Sequence, residues 1–327
     1  MANRVFHYAD PDISAFIRRH FVPVVGDDWY QRRRQDAEGD FYQGVHRQAP
    51  HHTPEGHSRQ GLYILTASGT LLSFTNTWKM DTFWRFLRAG VKNWEALPAA
   101  ERAPGALVIP PLDVGQRDVK YTRVPPADGS ILKVHTRVLD QAGNGFKACE
   151  AEGEKRWGLF AASDHMWLRK EELRGLEPGP LPEPFASRML RFHMVDNTRG
   201  EPSMWKQTDI RSRDLRLVQV PGEAGRLRLE GSFLVHTDDR GRGFEASVLG
   251  YLDVDPATGT LTALKVVALG EHWGDGDYTP GARPGRTPLG VALHRVSGED
   301  AADRTPPQAI RYVERYWKAE QAGIGKR

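Results

Sequence analysis

From residue 80 onward the apolar positions return with the spacing of a helix. Met80, Phe83, Trp84, Leu87, Val91 and Trp94 fall at i, i+3, i+4, i+7, i+11 and i+14, which predicts an amphipathic helix that Pro98 closes. Ahead of it, GLYILTASGTLLSF (61–74) holds two strand-like runs around Ala67, Ser68 and Gly69, a hairpin signal. Nearer the start, Asp10 caps and Pro11 enters a short helix over 10–20 with Ile13, Phe16 and Ile17 on one face. HFVPVV (20–25) reads as a buried strand ended by Gly26 and Asp27. Asp27 then caps a helix through Trp29, Arg33, Ala37 and Phe41, with a break expected at Gly39.

Beyond residue 98 the pattern changes. PAAERAPG, IPPLD and VPPADG concentrate proline and glycine between 98 and 130, so a boundary near 104 divides the chain into 1–103 and 104–327. Strand-like runs follow at 130–139, 157–161, 188–196, 214–220, 226–237, 244–254, 260–269 and 289–296, separated by turns such as QAGNG, DDRGRG and DPATG. Residues 162–173 read instead as a capped helix packing Trp167 and Leu168. A last helix over 306–321 is capped by Thr305 and shares Ile310, Val313 and Trp317 on one face. The expectation is α+β, with the second domain an antiparallel β sandwich or barrel carrying a C-terminal helix.

The order of the first hundred residues, with the FVPVV strand, the YILTASGTLL hairpin and the closing helix, resembles a thioredoxin-like domain. The resemblance implies an α/β domain but no thiol exchange. That family works through Cys-x-x-Cys, whereas no cysteine precedes Cys149, and Ser58, Arg59 and Gln60 stand where the family places a cis-proline. A scaffold or docking role is what the resemblance implies here.

Composition narrows the classes. The chain has 327 residues, enough for two cores, and 45 basic against 42 acidic residues spread along it give no footprint for nucleic acid. Mean hydropathy is −0.56 and no apolar run reaches the roughly 20 residues that span a bilayer, so no membrane is expected. As it stands the chain reads as cytoplasmic; with a signal peptide already removed, the same sequence would suit a secreted or periplasmic protein. The single cysteine excludes an internal disulfide and multi-thiolate zinc.

Chemistry is expected from histidines at strand-like runs: His135, His193, His236, His272 and His294. His193, His236 and His272 each sit where an apolar run turns polar beside carboxylates, and imidazoles from separate strands can close on one transition metal ion, copper, iron or zinc. Substituting Glu271 or Asp196 for one imidazole would favour non-haem iron, and calcium at Asp275 and Asp277 is the weaker option. RFHMVDNTRGEPSMW (191–205) adds Arg199, which could grip a carboxylate or phosphate, and Glu201, which could act as a base; the alternative is an internal pairing of Arg199 with Glu201 or Asp196 that fixes a loop. Cys149 lies among acids that oppose a thiolate, and His51, His52 and His57 read as a solvated loop. No phosphate loop, GxSxG or HExxH occurs. Three readings follow: a metal-dependent oxidoreductase with a small-molecule substrate oriented by Arg199 and Glu201; a non-catalytic protein that binds another protein or a glycan; and a hydrolase, metal-dependent or working through Glu201 and a second acid.

Overall fold

The computed structural model describes residue 8 and residues 10–50, 58–77, 79–103, 113–139 and 161–318. Cys149, His51, His52, His57 and most of the expected strand 157–161 lie outside them. The chain forms two compact units, one up to Arg123 and one from Val124 onward.

The first unit contains α1 (Pro11–His20), α2 (Asp28–Gln31), α3 (Ala37–Arg47), the hairpin β1 (Leu62–Leu65) and β2 (Leu71–Thr75), α4 (Met80–Ala96) and α5 (Ala99–Arg102). Asp10 caps α1 by accepting from the amides of Asp12 and Ile13 at 2.9 and 3.0 Å. The stripes of α1 and α4 meet the hairpin in a core of Ile13, Ile64, Leu72, Phe83, Phe86 and Leu87. The strand expected at 20–25 does not form. His20 ends α1, residues 21–25 belong to no strand, and Val22, Val24 and Val25 are 86 to 99% exposed; Pro23 lacks the amide a ladder would use.

Gly39 does not break α3; its place is set by close approach, since a Cβ there would lie 2.2 Å from the Arg34 carbonyl oxygen. Asp36 caps this helix through the Gly39 amide and pairs with Arg34 at 2.7 Å. Burial works to raise its pKa, but the Arg34 bonds and the amides of Asp118 and Gly39 outweigh burial and hold it at about 2. The Asp118 amide reaches Asp36 at 2.9 Å, so the stretch after the proline-rich segment is tied to this unit.

The second unit is built on one continuous antiparallel sheet. Its strands are β3 (Ser130–Val138), β4 (Ala161–Leu168), β5 (Gly179–Pro180), β6 (Ile210–Gln219), β7 (Arg226–His236), β8 (Gly243–Val254), β9 (Leu261–Trp273) and β10 (Thr287–Val296), in the spatial order β4-β3-β10-β9-β8-β7-β6-β5. Among the described residues there are not two facing sheets, as a sandwich would require, and no pairing of β4 with β5 closes a barrel. Period-two alternation is clean on β8, where Phe244, Ala246, Val248 and Leu252 are buried and Glu245, Ser247, Leu249 and Tyr251 are exposed.

The largest departure from expectation lies at residues 183–196. After the short α6 (Lys170–Leu173), Glu183–Arg188 forms a helix, α7 here, and the strand expected at 188–196 is replaced by its continuation as a π-turn over Met189–His193. Every residue from Phe185 to Asp196 is buried, and Met189, Leu190 and Met194 join the inner side chains of the sheet in one core. A helix packed on all sides has no polar face, so its sequence lacks the amphipathic stripe that marks a surface helix. The reverse occurs at 161–168: the residues expected as a helix pair with β3 as β4, burying Trp167 and Leu168. The C-terminal segment runs as a tight turn, Gln308–Tyr312, into α8 (Val313–Trp317), anchored by the buried Ile310 and Tyr316.

Two charges are buried to tie these parts together. Arg188 on α7 and Glu172 on α6 form a bidentate pair, and Arg188 also donates to the carbonyls of Tyr316 at 3.1 Å and Trp167 at 3.2 Å.

Candidate functional site

His193 ends the π-turn with its ring enclosed. Its Nδ1 lies 3.5 Å from Asp164 Oδ2 and its Nε2 lies 3.4 Å from the Tyr316 hydroxyl. Tyr316 crosses it edge-on, accepts from the Trp167 amide at 3.0 Å, and has its phenol pushed well above the ordinary range by burial. Asp164, on β4, accepts through Oδ1 from the amides of His165 at 2.8 Å and Gln308 at 3.1 Å. The other carboxylate oxygen is the one near His193, whose Nδ1 is buried and makes no hydrogen bond among the described residues. The elements that meet here, β4, the π-turn and the C-terminal segment, are distant in sequence.

Beside these three residues lies a small opening of about 10 Å³, room for one water-sized group, lined by Phe192, Val195, Pro202, Met204 and Ala309 together with Asp164 and Asn197. Asn197 Oδ1 is buried and accepts no hydrogen bond. The opening therefore combines apolar walls with the unanswered Asn197 Oδ1 and the Asp164 carboxylate. Asp164 lies in the stretch 162–173 that reads in the sequence as a capped helix, and Tyr316 gave no signal beyond its aromatic character.

The residues singled out in the sequence go to separate places. Arg199 is engaged on all sides: Nε donates to Asp196 at 2.7 Å, Nη1 to Asp275 at 2.7 Å and to the Thr279 carbonyl, and Nη2 to the Gly274 carbonyl at 3.1 Å. It staples the loop after the π-turn to the loop after β9. Gly200 permits the approach, since a Cβ there would sit 2.2 Å from the Tyr278 carbonyl oxygen. Glu201 pairs with Arg311. His272 is buried at the end of β9 beside Asp196. Burial, with Arg199, Arg242 and Arg283 nearby, overrides the attraction of Asp196 and depresses its ring to about 4, so it is neutral at pH 7. His236 is half-buried and its Nδ1 meets the Thr237 carbonyl at 2.7 Å.

His193, His236 and His272 thus have three different sets of neighbours. Among the described residues, no group of three or more His, Cys, Asp or Glu side chains is arranged to hold a metal ion. His135 and His294 stack on the outer face of the sheet at 5.2 Å, where burial and the charges of His294 and Lys133 depress His135. Of the aromatic neighbours, Trp205 is buried under Arg242 at 3.9 Å, and Trp273 carries Arg286 on its face at 4.2 Å. No described helix is long and apolar enough to cross a membrane. Comparison with protein-family models, curated proteins and solved structures gives no match.

Proposed function

We propose that the second unit binds a small molecule through the cavity beside His193, taking up a protonated amine or another N–H donor against Asp164 and Asn197. The observation that carries this reading is one unanswered acceptor: Asn197 Oδ1 is buried without a donor, on the same opening as the Asp164 carboxylate, whose Oδ2 lies 3.5 Å from His193 Nδ1. An unsatisfied buried acceptor costs about 1–3 kcal/mol, which a ligand donor would recover. The enclosed space there is about 10 Å³, room for one ammonium-sized head group, with Phe192, Val195 and Met204 among the residues that line it.

A thermal-shift series tests the proposal. Short primary alkylamines raise the melting temperature of the wild-type chain, alkyl carboxylates of equal length do not, and Asp164→Asn abolishes the amine response. Equal responses to amines and carboxylates, or an unchanged response in Asp164→Asn, reject it.

A second reading keeps the chain an enzyme. His193 lies between Asp164 and the Tyr316 hydroxyl, an arrangement that orients a carboxylate for proton transfer to or from a bound substrate. In that case Asp164 is the group that touches substrate and His193 and Tyr316 position it. The oxidoreductase reading, with copper, iron or zinc held by His193, His236 and His272, has less support, since each of these rings already has its own neighbours. The same holds for a hydrolase using Glu201, whose carboxylate is paired with Arg311.

A further inference from the structure

The outer face of β8 and β9 carries apolar side chains where alternation calls for polar ones. Leu249, Tyr251, Val267 and Leu269 are 41 to 54% exposed, on strands whose inner positions fill the core. Register sets Leu249 opposite Val267 and Ser247 opposite Leu269. On the next strand, β10, Val267 faces Ala292 and Leu269 faces Gly290, so nothing large interrupts the patch.

Charge is ordered along the strands around this patch. At one end Glu245 and Glu271 are direct cross-strand partners, and Arg286 serves both, at 2.6 and 3.7 Å. One carboxylate charge is left over, and like charges so placed repel. At the other end Lys265 has no ion pair among the described residues; its register neighbours are Tyr251 and His294. Lys265 and Glu271 lie on the same face of β9, six residues or about 20 Å apart, with Val267 and Leu269 between them.

We infer that a second copy of this chain docks here, sheet face on sheet face, about a two-fold axis that lies in the interface and runs across the strands over Val248 and Ala268. Such an axis reverses each strand and sets it over its own counterpart. Lys265 of each copy then meets Glu271 of the other, and Val267 meets Leu269. The surplus carboxylate at one end and the unpaired ammonium at the other are both answered. The other in-plane axis, parallel to the strands, would lay the Glu245 and Glu271 pair on its own image, so charge selects the first. The contact is isologous and closes at two copies.

Sedimentation equilibrium of the full chain between about 1 and 100 μM tests this, a range that brackets a micromolar dimer. The expected mass at the upper end is that of two chains. Leu269→Glu and Lys265→Glu each raise the dissociation constant at least about tenfold, and Lys265→Glu combined with Glu271→Lys brings it back to within about threefold of wild type. These side chains point outward, so unchanged near-ultraviolet circular dichroism certifies the fold of each variant. A single-chain mass throughout overturns the inference. So does a dimer indifferent to Leu269→Glu, and a charge swap that fails to restore association overturns the two-fold arrangement.

Discussion

At His272 the protein holds an imidazole neutral by burying it beside three arginines, and the consequence is a defined dependence on pH. Its folded value, about 4, lies below the ordinary 6.5. The unfolded chain therefore takes up the proton first as the pH falls. The stability this residue contributes is whole above about pH 6.5, declines between 6.5 and 4, and levels off below. The difference corresponds to about 3 kcal/mol over that interval. Urea unfolding at pH 7.5 and pH 4.5 checks it: wild type loses more stability between the two than His272→Gln, by up to that amount. Asp164 and Arg199 illustrate opposite uses of charge. Arg199 spends its donors on Asp196, Asp275 and two carbonyls and acts as a staple, whereas Asp164 divides its oxygens between two backbone amides and His193 at the edge of an opening.

Among the elements, α7 and its π-turn decide the second unit. Glu172 and Arg188 form the buried ion pair that locks α7 to α6, and Arg188 reaches on to β4 and α8 through carbonyls. Glu172→Gln leaves that guanidinium buried without a counter-charge, and a loss of about 4 kcal/mol in denaturant-derived stability is expected. The meander from β6 to β10 was legible because those strands have one wet face and one dry face, so their sequence alternates. The stretch from Phe185 to Asp196 was not, because burial on every side removes periodicity, and RFHMV mimics a strand by the chance placing of Arg191 and His193. Alternation was also missed at ASDHMWL, where the last four residues are all buried and resemble a packed helix. The Asp164, His193 and Tyr316 site stayed hidden for a related reason: it joins positions up to 152 residues apart, from Asp164 to Tyr316, that no local spacing connects. The internal pairing of Arg199 with Asp196, open as an alternative in the sequence, is the one the fold uses.

At the scale of the molecule, each unit has its own apolar core, one around Phe83 and Ile64 and one filled jointly by α7 and the sheet. Residues 124–327 produced alone are expected to keep the sheet and the amine response, measured by far-ultraviolet circular dichroism and the same thermal shift. Loss of both would mean that the first unit is required for the second to fold.

Among the described residues the sheet ends at β5 in two residues, Gly179 and Pro180. Leu181 gives its amide to Leu215 on β6 at 2.8 Å, so alternation turns the nitrogen of residue 180 away from the sheet. That nitrogen belongs to a proline and has no hydrogen to offer. A foreign strand arriving at this margin finds no donor where it needs one, and growth of stacked fibrils from that side is denied its template. Pro180→Val restores the donor, and a shortened thioflavin lag time in agitated solution is the expected cost of undoing this guard.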